Sequence, residues 1–276
     1  MKSNRLHKGF ATALIAAHLA MTACQTNPLQ DSGEQPVLPP PESMKMDFSY
    51  FMKPGAGKAG GRAVAGNNFN NAVVRVLIIN TVVGAILALP ALTLAAAASQ
   101  KPELQDDGKF HWVYTYQDSN VTLQADLAGW IDVNSKESVW EMRVTNSAAK
   151  PPLQNFLWYE GRAALDVSGG YWEFYDAAAA DSSTKVLRLD WTFSTPDTVS
   201  LEITVVKPGI PENGDRVTYR IQTPIRTVQF FDQSRGTTVE ISWNVETGAG
   251  YLKAPDYNNG EKACWDEQRN DVPCPQ

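Results

Sequence analysis

Leu187-Arg188-Leu189-Asp190-Trp191-Thr192-Phe193 is followed by a break at Thr195-Pro196-Asp197 and then by Val199-Ser200-Leu201-Glu202-Ile203-Thr204-Val205. Apolar side chains recur at every second position on both sides of the break, and the positions between them carry charges or hydroxyls. A period of two puts the apolar groups on one face of an extended chain and the polar groups on the other. Two antiparallel strands joined by a tight turn, one face packed and one face wet, satisfy that pattern.

The pattern continues in both directions. Upstream lie Phe110, Trp112, Tyr114 and Tyr116, then Val121, Leu123, Ala125 and Leu127, then Trp140, Met142 and Val144. Downstream lie Val217, Tyr219 and Ile221, then Val239, Ile241, Trp243 and Val245. Turn-forming residues separate the runs at Asp118-Ser119-Asn120, Asn134-Ser135-Lys136, Gly169-Gly170, Asn213-Gly214, Ser234-Arg235-Gly236 and Thr247-Gly248. Runs of this length with turns between them predict a mainly β fold, an antiparallel meander of about ten strands across 109–253. A sheet that wide must curl, either open or closed into a barrel-like form.

One stretch does not alternate. Val76 to Ala98 is 23 residues without a charge, long enough to cross a bilayer. Ile78, Val82, Ile86 and Leu89 form a bulky row at helical spacing, and Asn80, Gly84, Ala88, Ala91 and Ala95 form a small row on the opposite side. Pro90 is expected to kink the helix. A helix apolar on every side needs an enclosure, and a sheet with one apolar face needs a partner. The expected architecture is one domain over 44–253, with the curled sheet wrapped around this helix, and a C-terminal tail over 254–276. Within the domain, Met44–Met52 alternates and is expected as a short strand, while the Gly/Ala-rich 53–66 is expected as a loop. The small row Gly84, Ala88, Ala91 and Ala95 is the part of the helix that would leave room for an apolar ligand against the sheet.

The N-terminus has three zones: a basic start with Lys2, Arg5 and Lys8, an apolar stretch from Phe10 to Ala20, and Met21-Thr22-Ala23-Cys24. This is the layout of a secretory signal peptide. On those residues the sequence resembles bacterial lipoprotein precursors, whose lipobox ends in a Cys that is lipidated and becomes the first mature residue. The resemblance covers about 24 residues and implies a signal peptide over 1–23, acyl chains on Cys24, and a membrane as partner. With Gln25 next, the resemblance implies the outer membrane of a diderm cell envelope, whose periplasm is the oxidising compartment. Residues 24–43, with five prolines from Pro28 to Pro41, are expected as an extended tether. If Cys24 takes lipid, Cys264 and Cys274 remain as an even pair in an oxidising compartment, and a disulfide between them is expected.

Composition excludes several functions. The chain has 24 Lys+Arg and 30 Asp+Glu, and residues 1–24 hold three of the cations and no acid. The remainder is strongly acidic, which argues against nucleic acid as a partner. Of three His, only His111 lies beyond the signal peptide, so no His-rich metal site is expected. His111 should point outward from its strand, and no G-x-S-x-G elbow accompanies it. Neither a catalytic residue, a cofactor nor a metal is therefore assigned. The densest aromatic patch, Trp158, Tyr159, Glu160, Tyr171, Trp172 and Glu173, has the rings and acids that a carbohydrate site or a glycoside hydrolase needs. The leading expectation is a non-enzymatic, lipid-anchored envelope protein that serves as a scaffold or binding module for an envelope protein partner. The alternatives are a carrier of a lipid or other apolar ligand, and a surface carbohydrate-binding protein or hydrolase.

Overall fold

The computed structural model describes residues 33–52, 67–118, 121–195 and 197–275. Cys24, its lipobox and the Gly/Ala-rich 53–66 lie outside the described residues. A 3-10 turn at Pro41–Met44 and a single helical turn, α1 (Ser49–Met52), precede a 30-residue helix, α2 (Asn68–Ala97). The rest is sheet. Its strands are β1 (Glu103–Leu104), β2 (Phe110–Asp118), β3 (Val121–Asp132), β4 (Glu137–Asn146) and β5 (Leu153–Ala164). They continue with β6 (Gly169–Asp176), β7 (Asp181–Thr195), β8 (Thr198–Val205), β9 (Arg216–Gln222) and β10 (Ile225–Asp232). The last are β11 (Thr237–Asn244), β12 (Gly250–Lys253), β13 (Ala263–Trp265) and β14 (Asp271–Val272). All fourteen form one open antiparallel sheet in sequence order, so every neighbour is joined by a local connection.

Fourteen strands exceed the ten or so expected: β1, β12, β13 and β14 are two to four residues each, too short to show a period. In β5 and β6 rings stand on both faces, as at Trp158 and Tyr159 or Tyr171 and Trp172, so alternation is blurred. All three residues of β13 are buried, which removes alternation altogether. Glycines set the packing of the large inward rings. Gly129 on β3 faces Trp140 on β4, and Gly161 on β5 faces Trp172 on β6. A Cβ at either glycine would collide with the indole opposite, so each ring lies flat across its neighbouring strand.

The inward face forms a single core. Trp112, Trp140, Tyr159, Trp172, Leu189, Trp191, Tyr219, Ile241 and Trp243 are all buried in it. Two elements cover that face. The first is the segment 36–51, in which Pro36, Pro39, Ser43, Met44, Met46, Phe48 and Phe51 are buried. Trp172 Nε1 donates to Ser43 Oγ at 3.1 Å, and Phe48 packs edge-on to Tyr219. This corrects two expectations. The described end of the tether is not solvated throughout: Pro36, Pro39 and Ser43 are buried against the apolar face of the sheet, while Gly33, Glu34, Gln35, Val37 and Glu42 stay exposed. Met44–Met52 is not a strand: Met46 and Phe48 do point inward, but the backbone then closes into α1 and turns Phe51 against Trp243.

The second cover is α2. Asn67 caps it, accepting from the Asn70 N–H. Its buried residues, Phe69, Val73, Val76, Ile79, Val83, Leu87, Pro90, Leu94 and Ala97, recur every three or four positions and make one stripe. At its N-terminus Asn68 Nδ2 donates to the Cys264 carbonyl, Tyr257 donates to Asn68 Oδ1, and Arg75 pairs with Asp256 at 2.8 Å. Near its C-terminus Tyr114 on β2 donates to the Thr93 carbonyl. The helix therefore bridges the two ends of the meander. The expected enclosure is not formed by the described residues. α2 is the one helix among them long and apolar enough to span a bilayer, and a third of its most apolar window is buried, the other positions being half-buried or exposed.

Candidate functional site

The solvent side of α2 is the most unusual surface of the molecule. Ile78 is 61% exposed, Val82 55%, Leu92 49% and Val74 56%. Of the bulky row, Ile78, Val82 and Ile86 are exposed and Leu89 is half-buried against the core. In the small row Gly84 and Ala91 are half-buried, Ala91 against the core, and Ala88 and Ala95 are exposed, so this row runs along a flank of the helix. The bulky and the small row lie on either flank, each about a third of a turn from the stripe that meets the sheet, Val76 to Ala97. Seven exposed positions repeat by four and three: Val74, Ile78, Thr81, Ala85, Ala88, Leu92 and Ala95. The sequence reading divided the helix into a bulky and a small row and missed this seam. Counting heptads from Val74 would have found it.

The aromatic and acidic patch is divided by the sheet. Tyr159 and Trp172 are 0% and 1% exposed and belong to the core, so neither ring can stack on a sugar. Glu160, Tyr171 and Glu173 stand on the outer face, where Glu160 and Glu173 are direct cross-strand partners. Like charges in that position repel, and Lys185 Nζ sits between them, 3.2 Å from Glu160 and 2.5 Å from Glu173. Its hydrogen bond to Glu173 raises the Lys185 ammonium above the usual lysine range, against the opposite effect of burial. Arg188 lies over the Tyr171 ring at 4.0 Å and continues the row to Asp190 at 2.7 Å. Tyr175 donates to Glu160 at 2.7 Å; burial and that carboxylate push its hydroxyl up to about 12. The patch is thus a ladder of alternating charges in which both carboxylates are neutralised by cations. A cleft of about 470 Å³ opens beside it, lined by Glu137, Arg162, Ser168, Tyr171 and Thr192. There Arg162 pairs with Asp132 at 3.1 Å and Glu137 at 3.3 Å.

His111 does sit on the outer face of β2. Its Nδ1 lies 2.8 Å from Asp126 and its Nε2 3.2 Å from Asp107. Both ring nitrogens face carboxylates, which leaves neither to take a proton from a nucleophile. Among the described residues no group of three His, Cys, Asp or Glu side chains is placed to hold a metal. Cys264 and Cys274 are bonded, with their Cα atoms 5.2 Å apart. The bond closes the tail on which Asn67 and Asn68 anchor α2, through the carbonyls of Arg269 and Cys264. No family model, curated protein or solved structure matches the chain.

Proposed function

We propose that this protein is held at a bacterial envelope membrane through lipid on Cys24 and acts by binding, as a scaffold, without turning over a substrate. The observation that carries this reading is the two-sidedness of α2. One side seals the inner face of the sheet, and the other presents an uncharged aliphatic surface of a kind that marks contact sites on otherwise polar proteins. The carrier reading is less well supported, because the small-residue row that would have bordered its ligand runs along a flank of the helix, with Ala88 and Ala95 open to solvent. The hydrolase reading is less well supported because Lys185 neutralises the carboxylate pair it would use.

Mass spectrometry of the full chain tests both halves. The wild-type protein purified from the envelope should begin at Cys24 and carry acyl mass that Cys24→Ser removes. Under native conditions the Cys24→Ser chain should have its bare mass. Acylation that survives the substitution would sink the anchor, and a stoichiometric apolar ligand released by organic solvent would favour the carrier.

A further inference from the structure

We propose that the exposed seam of α2 pairs with the same seam of a second copy, the two helices running antiparallel. This deepens the scaffold reading and rests on it. The seam residues Val74, Ile78, Thr81, Ala85, Ala88, Leu92 and Ala95 are all exposed and follow the four-three repeat of helices that pack along one line. Their sizes differ along the seam: Val74 and Ile78 are bulky, Ala85 and Ala88 in the middle are small, and Leu92 stands between Ala88 and Ala95. A two-fold axis between Ile86 and Leu87 sets Ala85 against Ala88 of the second copy, Thr81 against Leu92, Ile78 against Ala95 and Val74 against Ser99. In this register Ile78 and Leu92 each meet a smaller side chain, and the helices approach closest where both carry alanine. Along the margin Val82 faces Leu89 and Gly84 faces Ala91. A parallel pairing sets Ile78 on Ile78 and Ala85 on Ala85, which forces the helices apart at one level and leaves gaps at the next.

The open area approaches that of a standard interface. Val74, Ile78 and Leu92 on the seam and Leu77 and Val82 beside it, with the exposed Thr81, Ala85, Ala88 and Ala95, leave on the order of 600 Å² open, against roughly 800 Å² per partner. A contact of one patch with itself also closes the assembly at two copies. A bilayer surface would be the other natural occupant, but it gives no reason for alanine and glycine in the middle of the stripe.

The test uses introduced cysteines in the full, lipid-bearing chain, in intact envelopes under a mild oxidant. Ile78→Cys with Ala95→Cys should give a disulfide-linked species of twice the chain mass as the main product. Each single variant should stay monomeric, since antiparallel packing holds each site far from its own copy. Efficient dimers from Ile78→Cys alone would mean a parallel or random encounter and would overturn the proposal. A bond from the thiol at position 78 to a different protein would overturn self-pairing and leave the scaffold reading standing. A bimane dye on the Ile78→Cys variant, quenched by nitroxide lipid in vesicles of phosphatidylethanolamine and phosphatidylglycerol, would assign the seam to the bilayer and overturn the pairing. If the double variant Ile78→Cys with Ala95→Cys gives no linked species and the dye on Ile78→Cys is not quenched, the seam meets neither a second copy nor the bilayer and the pairing is overturned.

Discussion

The Asp47 carboxylate takes a hydrogen bond from Arg226 Nη1 at 2.6 Å and another from the Ser49 N–H. Burial alone would raise its pKa, but the Arg226 hydrogen bond and charge and the Ser49 contacts outweigh that and hold it at about 2. Tyr219 donates to the Asp47 carbonyl beside it at 3.1 Å, so the pair fastens the 45–48 segment over β9 and β10. Because the folded value lies below the unfolded one, near 4, the pair stabilises the fold above about pH 4. That contribution fades as pH falls toward about 2. The side chain is 41% exposed, so solvent screening reduces the value from the full shift to about 1 kcal/mol. Asp47→Asn should lower unfolding free energy in urea by about that much at pH 7, and the two proteins should converge near pH 2. An equal gap at both pH values would mean that the loss comes from packing, with no contribution from charge.

At the scale of elements, α2 has two faces of similar composition and opposite environment. Leu87 is buried against the sheet and Ile78 is open to solvent. Leu87→Ala should cost about 2–5 kcal/mol. Ile78→Ala, measured at a dilution where the chain is monomeric, should cost no more than about 0.5 kcal/mol. Comparable losses at both sites would mean that the outward face is covered within one chain. That asymmetry was not legible in the sequence. A run with no charge reports that a helix is apolar, but only the position of the sheet decides which of its sides is wet. The strands were more legible, since Trp191 and Arg188 or Leu201 and Glu202 differ enough in polarity to assign their faces unaided. Tyr159 and Trp172 were not, because rings occupy both faces of β5 and β6 and composition alone could not separate core from surface. Asp47 and Arg226, 179 positions apart, left no local signal of their contact. The same is true of the pairing of Glu160 and Glu173 across a strand boundary.

Across the whole molecule, the meander brings its two ends near one helix without closing on itself. The edge strands β1 and β14 are two residues each, too short to template pairing with another chain. Between them, α2 rests at one end on the disulfide-closed tail and at the other on β2. A disulfide across ten residues stabilises mainly by limiting the unfolded chain, by about 2–3 kcal/mol, but here it also holds the strand that receives Asn68. Replacing both cysteines with serine should therefore act unevenly. In hydrogen exchange followed by mass spectrometry, the amides of β13, β14 and the first turns of α2 should exchange at least tenfold faster. Those of β4 to β8, which are secured by strands on either side, should change only by the global loss of stability. A uniform acceleration across the sheet would mean that the tail opens only when everything unfolds, so that α2 and the meander form one cooperative unit. A local acceleration would mean that the helix can loosen at its N-terminus while the sheet stays folded, and the outward seam is then carried on an element whose anchorage depends on an oxidising compartment.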